Sequence, residues 1–176
     1  MYRILIIIGL YITVVSCSST EFRRNSKFKI DDKSVNLYAF IGEKISVQNF
    51  EREPSESKKI MGKDGDSVVQ TTIYFDQRFR AKYKVIRNVF NDLETDTIEF
   101  FAYDHYGRPA FENFENSILY LSLNKEKNQY YLQKYQFDPV KRTKSGTWKG
   151  LNGKSIEKLF KKKQNGVFAA RGLFSE

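Results

Sequence analysis

Catalysis or metal binding by this chain would have to be carried by very few groups. Its 176 residues hold one cysteine, Cys17, and one histidine, His105. A general base near neutral pH is the first role a histidine suggests, and His105 sits in "FAYDHYGRP" between Asp104 and Tyr106. Neighbours on a strand point to opposite faces, so Asp104 is poorly placed to orient the imidazole. His105 therefore reads as a polar residue where a strand runs into a turn. Zinc wants three or four Cys, His or carboxylate ligands, and one histidine leaves carboxylates to supply nearly all of them. "KDGDS" brings Asp64 and Asp66 together but lacks the spaced oxygens and closing glutamate of a calcium loop; Asp-Gly is first of all a hairpin turn. Paired carboxylates can cleave glycosides without a histidine. Glu99, Asp104, Glu112 and Glu115 lie near one another in sequence, with the spacing of a solvated face. No Gly-x-Ser-x-Gly, Walker or dinucleotide glycine pattern occurs. The expectation is a protein that is not an enzyme and holds no metal or cofactor.

Whatever these residues do, strands must position them. Period-2 alternation recurs along the chain. In "FRAKYKVIRNVF", Phe79, Ala81, Tyr83 and Val85 fall on one face while Arg80, Lys82 and Lys84 fall on the other. Similar runs are "SVNLYAFI", "KISVQNF", "SVVQTTIYF", "DTIEFFAYD", "SILYLSLN" and "QYYLQKYQF". Turn chemistry separates several of them: Asp64-Gly65, Asn91-Asp92, and the stretch from Asn124 to Asn128. Such short links favour antiparallel neighbours. The segments "REPSESKKIMGK" and "HYGRPAFENFEN" read as long polar loops. One helix is predicted in "GKSIEKLFKKKQNG": Ile156, Leu159 and Phe160 share a face, Ser155 caps, Glu157 sits in the first turn, lysines fill the last, and Asn165-Gly166 terminates. Beyond it, "VFAARGLF" suits a final strand or a docked tail. The predicted fold is mainly β: an antiparallel sheet, sandwich or small barrel of about six to eight strands with one C-terminal helix.

Cys17 belongs to a different pattern. Arg3 precedes an uninterrupted apolar or small stretch from Ile4 to Ser16, and no acid occurs before Glu21. A positive start, an apolar centre and small residues at the end are the parts of a secretory signal. The apolar stretch is shorter than the roughly 20 residues that span a bilayer. No Ala-x-Ala site ends it. The chain instead reads Val14-Val15-Ser16-Cys17, which resembles the lipobox of bacterial lipoproteins; Val stands where Leu is the more frequent first residue. The resemblance covers residues 1 to 17. It implies a diacylglyceryl group on the Cys17 sulfur, cleavage between Ser16 and Cys17, and a membrane anchor built from acyl chains. Each buried methylene is worth about 0.8 kcal/mol, so two or more chains hold stably where one is marginal. Ser18 rather than Asp follows the cysteine, which by analogy with enteric bacteria favours the outer membrane of the cell envelope.

Also within the lettering, Gly146-Thr147-Trp148 has the Gly-x-Trp form that resembles the first strand of lipocalin-like barrels, although here it comes late in the chain. Trp148 is expected as a core or rim anchor. The chain thus divides into a signal peptide at 1–16, a lipidated cysteine and polar tether at 17–33, and a β-rich domain at 34–176. Removal of Arg3 with the leader takes the net charge from +9 to +8, so the mature domain is basic. Basic charge alone suggests nucleic acid, but an exported, tethered protein rarely meets it, and no nucleic-acid partner is expected. The expected function is that of a lipid-anchored envelope protein acting by binding or structural interaction with an envelope protein. The alternatives are a barrel that binds an apolar ligand and a carboxylate-dependent envelope hydrolase. Replacing Cys17 with Ser is expected to leave the precursor uncleaved and without lipid, read as its intact mass and its loss from the membrane fraction.

Overall fold

The computed structural model describes residues 28–50, 57–71 and 75–174. Within them the chain is mainly β, with a six-stranded sheet, a separate two-stranded sheet and one C-terminal helix. The strands are β1 (Tyr38–Phe50), β2 (Ser57–Met61), β3 (Ser67–Thr71), β4 (Gln77–Phe90), β5 (Thr97–Asp104), β6 (Asn116–Asn124), β7 (Gln129–Arg142) and β8 (Trp148–Gly150). The helix, α1, spans Ile156–Lys163.

The large sheet runs β5-β4-β1-β6-β7-β8 with antiparallel neighbours. A further, parallel pairing sets Phe100 and Phe101 of β5 beside Tyr130 and Tyr131 of β7. That contact closes β5, β4, β1, β6 and β7 into a barrel, which decides between the sandwich and barrel alternatives. The interior is filled by alternate side chains of these strands, among them Phe40, Phe79, Tyr83, Phe100, Leu119 and Leu121. Phe111, on a short 3-10 turn at Ala110–Asn113, packs into the same cluster. At Gly42 of β1 an added Cβ would come within 2.8 Å of the Phe40 ring and 3.0 Å of the Tyr83 ring. The two predicted strands on either side of Gly42 form one strand because this glycine makes room for rings and carries no turn.

A second core lies outside the barrel wall. Leu37, Ala39 and Ile41 face away from the interior, as do Ile118, Tyr120 and Val140, and they pack against Ile156, Leu159 and Phe160 of α1. Residues 117–121 are consequently buried on both faces, which is why all five are buried in a row. Ser155 caps the helix, its hydroxyl accepting from the Lys158 N–H at 3.2 Å. The helix does not stop at Asn165-Gly166. A π turn at Gln164–Phe168 continues it, and the wider turn returns the wholly buried Phe168 to the core face. "VFAARGLF" is therefore a docked helical tail and not a strand.

Two other stretches differ from expectation. Ser57–Met61 lies in the predicted loop but pairs with β3 from Ser57↔Thr71 to Met61↔Ser67. Asp64-Gly65 makes the turn between them, with Gly65 at φ 83°. The partner strand, invisible to a local reading, is what turns this polar stretch into a strand. Part of the predicted tether is also folded onto the body. The Ile30 N–H donates to Val89 O at 3.0 Å, and Phe28 meets Phe160 at 6.0 Å between ring centroids. Asn91, nearly buried and at φ 50°, holds the following residues by donating to the carbonyls of Asp32, Val35 and Leu37.

Phe160 joins these parts: it has no exposed surface and stacks on Phe90 at 5.2 Å while meeting Phe28 and Phe174. Phe160→Ala is expected to cost about 3–5 kcal/mol of unfolding free energy, measured by urea denaturation, with protection lost first in α1 by hydrogen exchange.

Candidate functional site

On the outer side of the barrel, β4 runs between β1 and β5. Because side chains alternate, β4 points Phe79, Ala81 and Tyr83 inward and Arg78, Arg80, Lys82 and Lys84 outward. Register sets Phe50 and Tyr103 beside Arg78, and Gln48 and Phe101 beside Arg80. Lys82 lies between Ser46 and Glu99, and Lys84 between Glu43 and Thr97.

At one end of this face the two guanidiniums sit on aromatic rings. Arg78 lies 4.8 Å from the Phe50 centroid and 4.3 Å from that of Phe101. Arg80 lies 4.5 Å from Phe50 and 5.8 Å from Phe101. The rings are themselves in contact, Phe50 with Phe101 at 5.7 Å and Phe101 with Tyr131 at 5.8 Å. Tyr103 stacks nearly parallel on Tyr131, 6.1 Å away. A cation over a ring is worth about 0.5–1 kcal/mol when exposed and more when desolvated. Phe101 is 7% exposed, although it points out of the barrel, because arginines and rings cover it. Arg80 also faces Glu99, Nε to Oε1 3.4 Å. The result is a basic, partly rigid surface suited to holding an anion.

His105 lies at the same end. Its Nδ1 is 3.3 Å from Asp76 Oδ1, and its ring meets Phe75 and Tyr106 edge to face. Asp104 does not orient it; that carboxylate accepts from the Tyr106 N–H at 2.9 Å and shapes the turn. The second oxygen of Asp76 accepts from Lys134 of β7. The Lys134 hydrogen bond above all, with the Lys134 charge and the His105 bond and charge, holds the Asp76 carboxyl below its ordinary value, and the bond to Asp76 in turn raises Lys134. Asp76 thus ties the start of β4 to the turn after β5 and to β7. Sequence reading missed it, since no spacing links residues so far apart.

The other candidates are dispersed. Glu99 faces Arg80, and Glu112 takes two bonds from Arg108 at 2.6 and 2.7 Å. Glu115 is met through its backbone, its carbonyl accepting from Lys44 N–H. With Asp104 in its turn, the four sequence-neighbouring carboxylates have four separate surroundings. Asp64 and Asp66 lie at the β2–β3 turn. Among the described residues no three His, Cys, Asp or Glu side chains gather as a metal-ligand set. Trp148 is on β8, half-buried against the second core. Cys17 lies outside the described residues, and no described helix is long and apolar enough to cross a membrane.

Concavities lie beside the barrel. A cleft of about 130 Å³ between β5 and β7 is lined by Ala102, Tyr103, Phe111, Leu132, Tyr135 and Phe137, with Asp104 at its rim. Tyr135 there adopts φ 63°, unusual for a bulky residue. An open polar hollow of about 330 Å³ lies near Tyr38, Tyr130, Asn91 and Glu94. Compared with known proteins, the chain matches no family model, no curated protein and no solved structure.

The Asp76 cluster has a testable acid sensitivity. A carboxyl held low in the folded state stabilises above its unfolded pKa, near 3.8, and that contribution disappears as pH falls through the lower folded value. Carbon NMR titration is expected to place Asp76 below the ordinary carboxylate range, and Lys134→Ala to move it back up.

Proposed function

We propose that this protein is a lipid-anchored component of the bacterial cell envelope, tethered through Cys17, that acts by binding an anionic partner on the outer face of β4 and β5. One observation carries the reading: Arg78 and Arg80 are both packed over the Phe50 and Phe101 rings on the outer side of the barrel wall. Buried interior rings would stabilise the fold by themselves. Surface rings that hold guanidiniums in place prepare charge for a ligand, because a fixed fork loses less entropy on pairing with a carboxylate or phosphate.

Binding is favoured over catalysis by how the ionisable groups are used. His105 and Lys134 are taken up by Asp76, and Arg108 takes up Glu112. The apolar-ligand reading has less support, since the barrel interior is occupied by Phe40, Phe79, Tyr83 and Phe100, each with no exposed surface. The outer membrane is the proposed address.

A photo-crosslinking amino acid at Lys82, in cells making the full chain, is expected to give adducts of discrete mass. The same probe at Lys141 on β7, away from this face, should give few. Equal adducts at both positions, or none at Lys82, would count against the assignment.

A further inference from the structure

We infer that the side of the β7–β8 ribbon turned away from α1 docks on a bilayer of anionic phospholipid; this surface is separate from the face of β4 and goes beyond the role assigned there. Cross-strand register defines it. Val140 pairs with Gly150 and Arg142 with Trp148, and Val140 and Trp148 belong to the second core under α1. The alternate pair, Lys141 and Lys149, therefore points to the opposite side, and both side chains are exposed. Thr143 and Thr147 lie on the same side, their hydroxyls 2.7 Å apart. Leu151 extends the row at the other end, its N–H donating to Pro139 O at 3.2 Å.

The ammonium pair is the first feature that asks for a partner. Like charges directly opposite on neighbouring strands are destabilising. Among the described residues no carboxylate engages either lysine, and Glu115, just ahead of β6, pairs with neither. From Pro139 to Ser155 the chain carries Lys141, Arg142, Lys144, Lys149 and Lys154 and no acid. Leu151 is the second feature. It is 51% exposed beside the lysines, so the surface joins charge to an apolar side chain. A bilayer interface accepts both, since headgroups take the ammoniums and the acyl boundary takes the leucine.

Other anionic partners fit less well. Single-stranded nucleic acid binds where bases stack on open rings, and Trp148, the one aromatic residue from 139 to 155, is half-buried on the other side. An acidic peptide gains affinity by extending a sheet at a free edge. The outer edge of β8 is taken: Lys149 bridges Ser155, and the Gly150 N–H donates to Lys154 O at 2.9 Å. A compact anion is held by hydroxyl and amide donors, and the hydroxyls of Thr143, Ser145 and Thr147 are bonded to one another.

The full chain is held in vesicles of phosphatidylcholine, or of phosphatidylcholine mixed equally with phosphatidylglycerol, with a polarity-sensitive fluorescent amino acid at Asn152. A blue shift is expected on the mixed vesicles only, and it should fade as salt rises. Lys141→Glu with Lys149→Glu should lower the ratio of docked to undocked chain by about twentyfold, because each basic residue near an anionic surface is worth about a factor of five. Leu151→Ser should also weaken docking. Lys149→Glu alone turns a repelling pair into an attracting one, so it should raise the midpoint of thermal unfolding while docking falls, which separates a lost contact from a lost fold. Flotation of the vesicles reports separately whether the chain stays anchored through Cys17. A probe that replaces Lys141 removes half of the pair, so few adducts are still expected at that position. Equal shifts on the two kinds of vesicle, or a shift that survives both charge reversals, would overturn the proposal. So would a larger shift on adding oligothymidylate or polyglutamate to the phosphatidylcholine vesicles, which would make nucleic acid or acidic protein the occupant.

Discussion

One short parallel contact organises this molecule. Where Phe100 and Phe101 pair with Tyr130 and Tyr131, an open sheet becomes a barrel, and every strand acquires an inside and an outside. Phe100 then faces Tyr83 and Phe111 in the interior, while its neighbour Phe101 is turned out against Tyr131. Without the closure Tyr131 would be distant from β5, and the outer aromatic group would lose its floor. The interior core and the candidate binding face are thus two sides of the same pairing.

Closure also leaves the outer wall with unequal neighbours. Where β1 and β6 present Ala39, Ile41, Ile118 and Tyr120 outward, apolar surface must be covered, and α1 with its π turn covers it. Where β4 and β5 present arginine, lysine, glutamate and threonine, water can remain. The helix is therefore placed by the apolar half of the wall. Polar groups caught beneath the helix show what covering costs. Tyr120 donates to Asp138 at 2.7 Å, and Lys163 stands 3.9 Å from the same carboxylate. Burial pushes Asp138 up and Lys163 down, both toward neutrality. Burial outweighs the attraction within that pair, which ties the helix down chiefly through packing and hydrogen bonds.

On the outer face of β4 and β5 the guanidiniums of Arg78 and Arg80 rest on the Phe50 and Phe101 rings, and Arg80 also faces Glu99. The Asp76 cluster bounds this face at one end by joining three segments, so its position is set by tertiary contacts on both sides.

How far the sequence speaks can be judged from particular residues. Alternation in 79–90 is local, and it correctly separates Phe79, Ala81 and Tyr83 from Arg80, Lys82 and Lys84. The cap at Ser155 and the stripe of Ile156, Leu159 and Phe160 are likewise written within a few residues of one another, and so is the Asp-Gly turn. The predominance of strands and the terminal helix follow from such short-range rules. What no local pattern contains is which strands meet. Phe50, Arg78, Phe101 and Tyr131 come from four strands, and their spacings in the chain carry no common period. The β2 strand was hidden for the same reason, since its polar residues gain structure from a partner. Side-chain periodicity belongs to each strand by itself, whereas the barrel, the helix's resting place and the cation-aromatic face depend on pairing across distant parts of the chain, where packing decides.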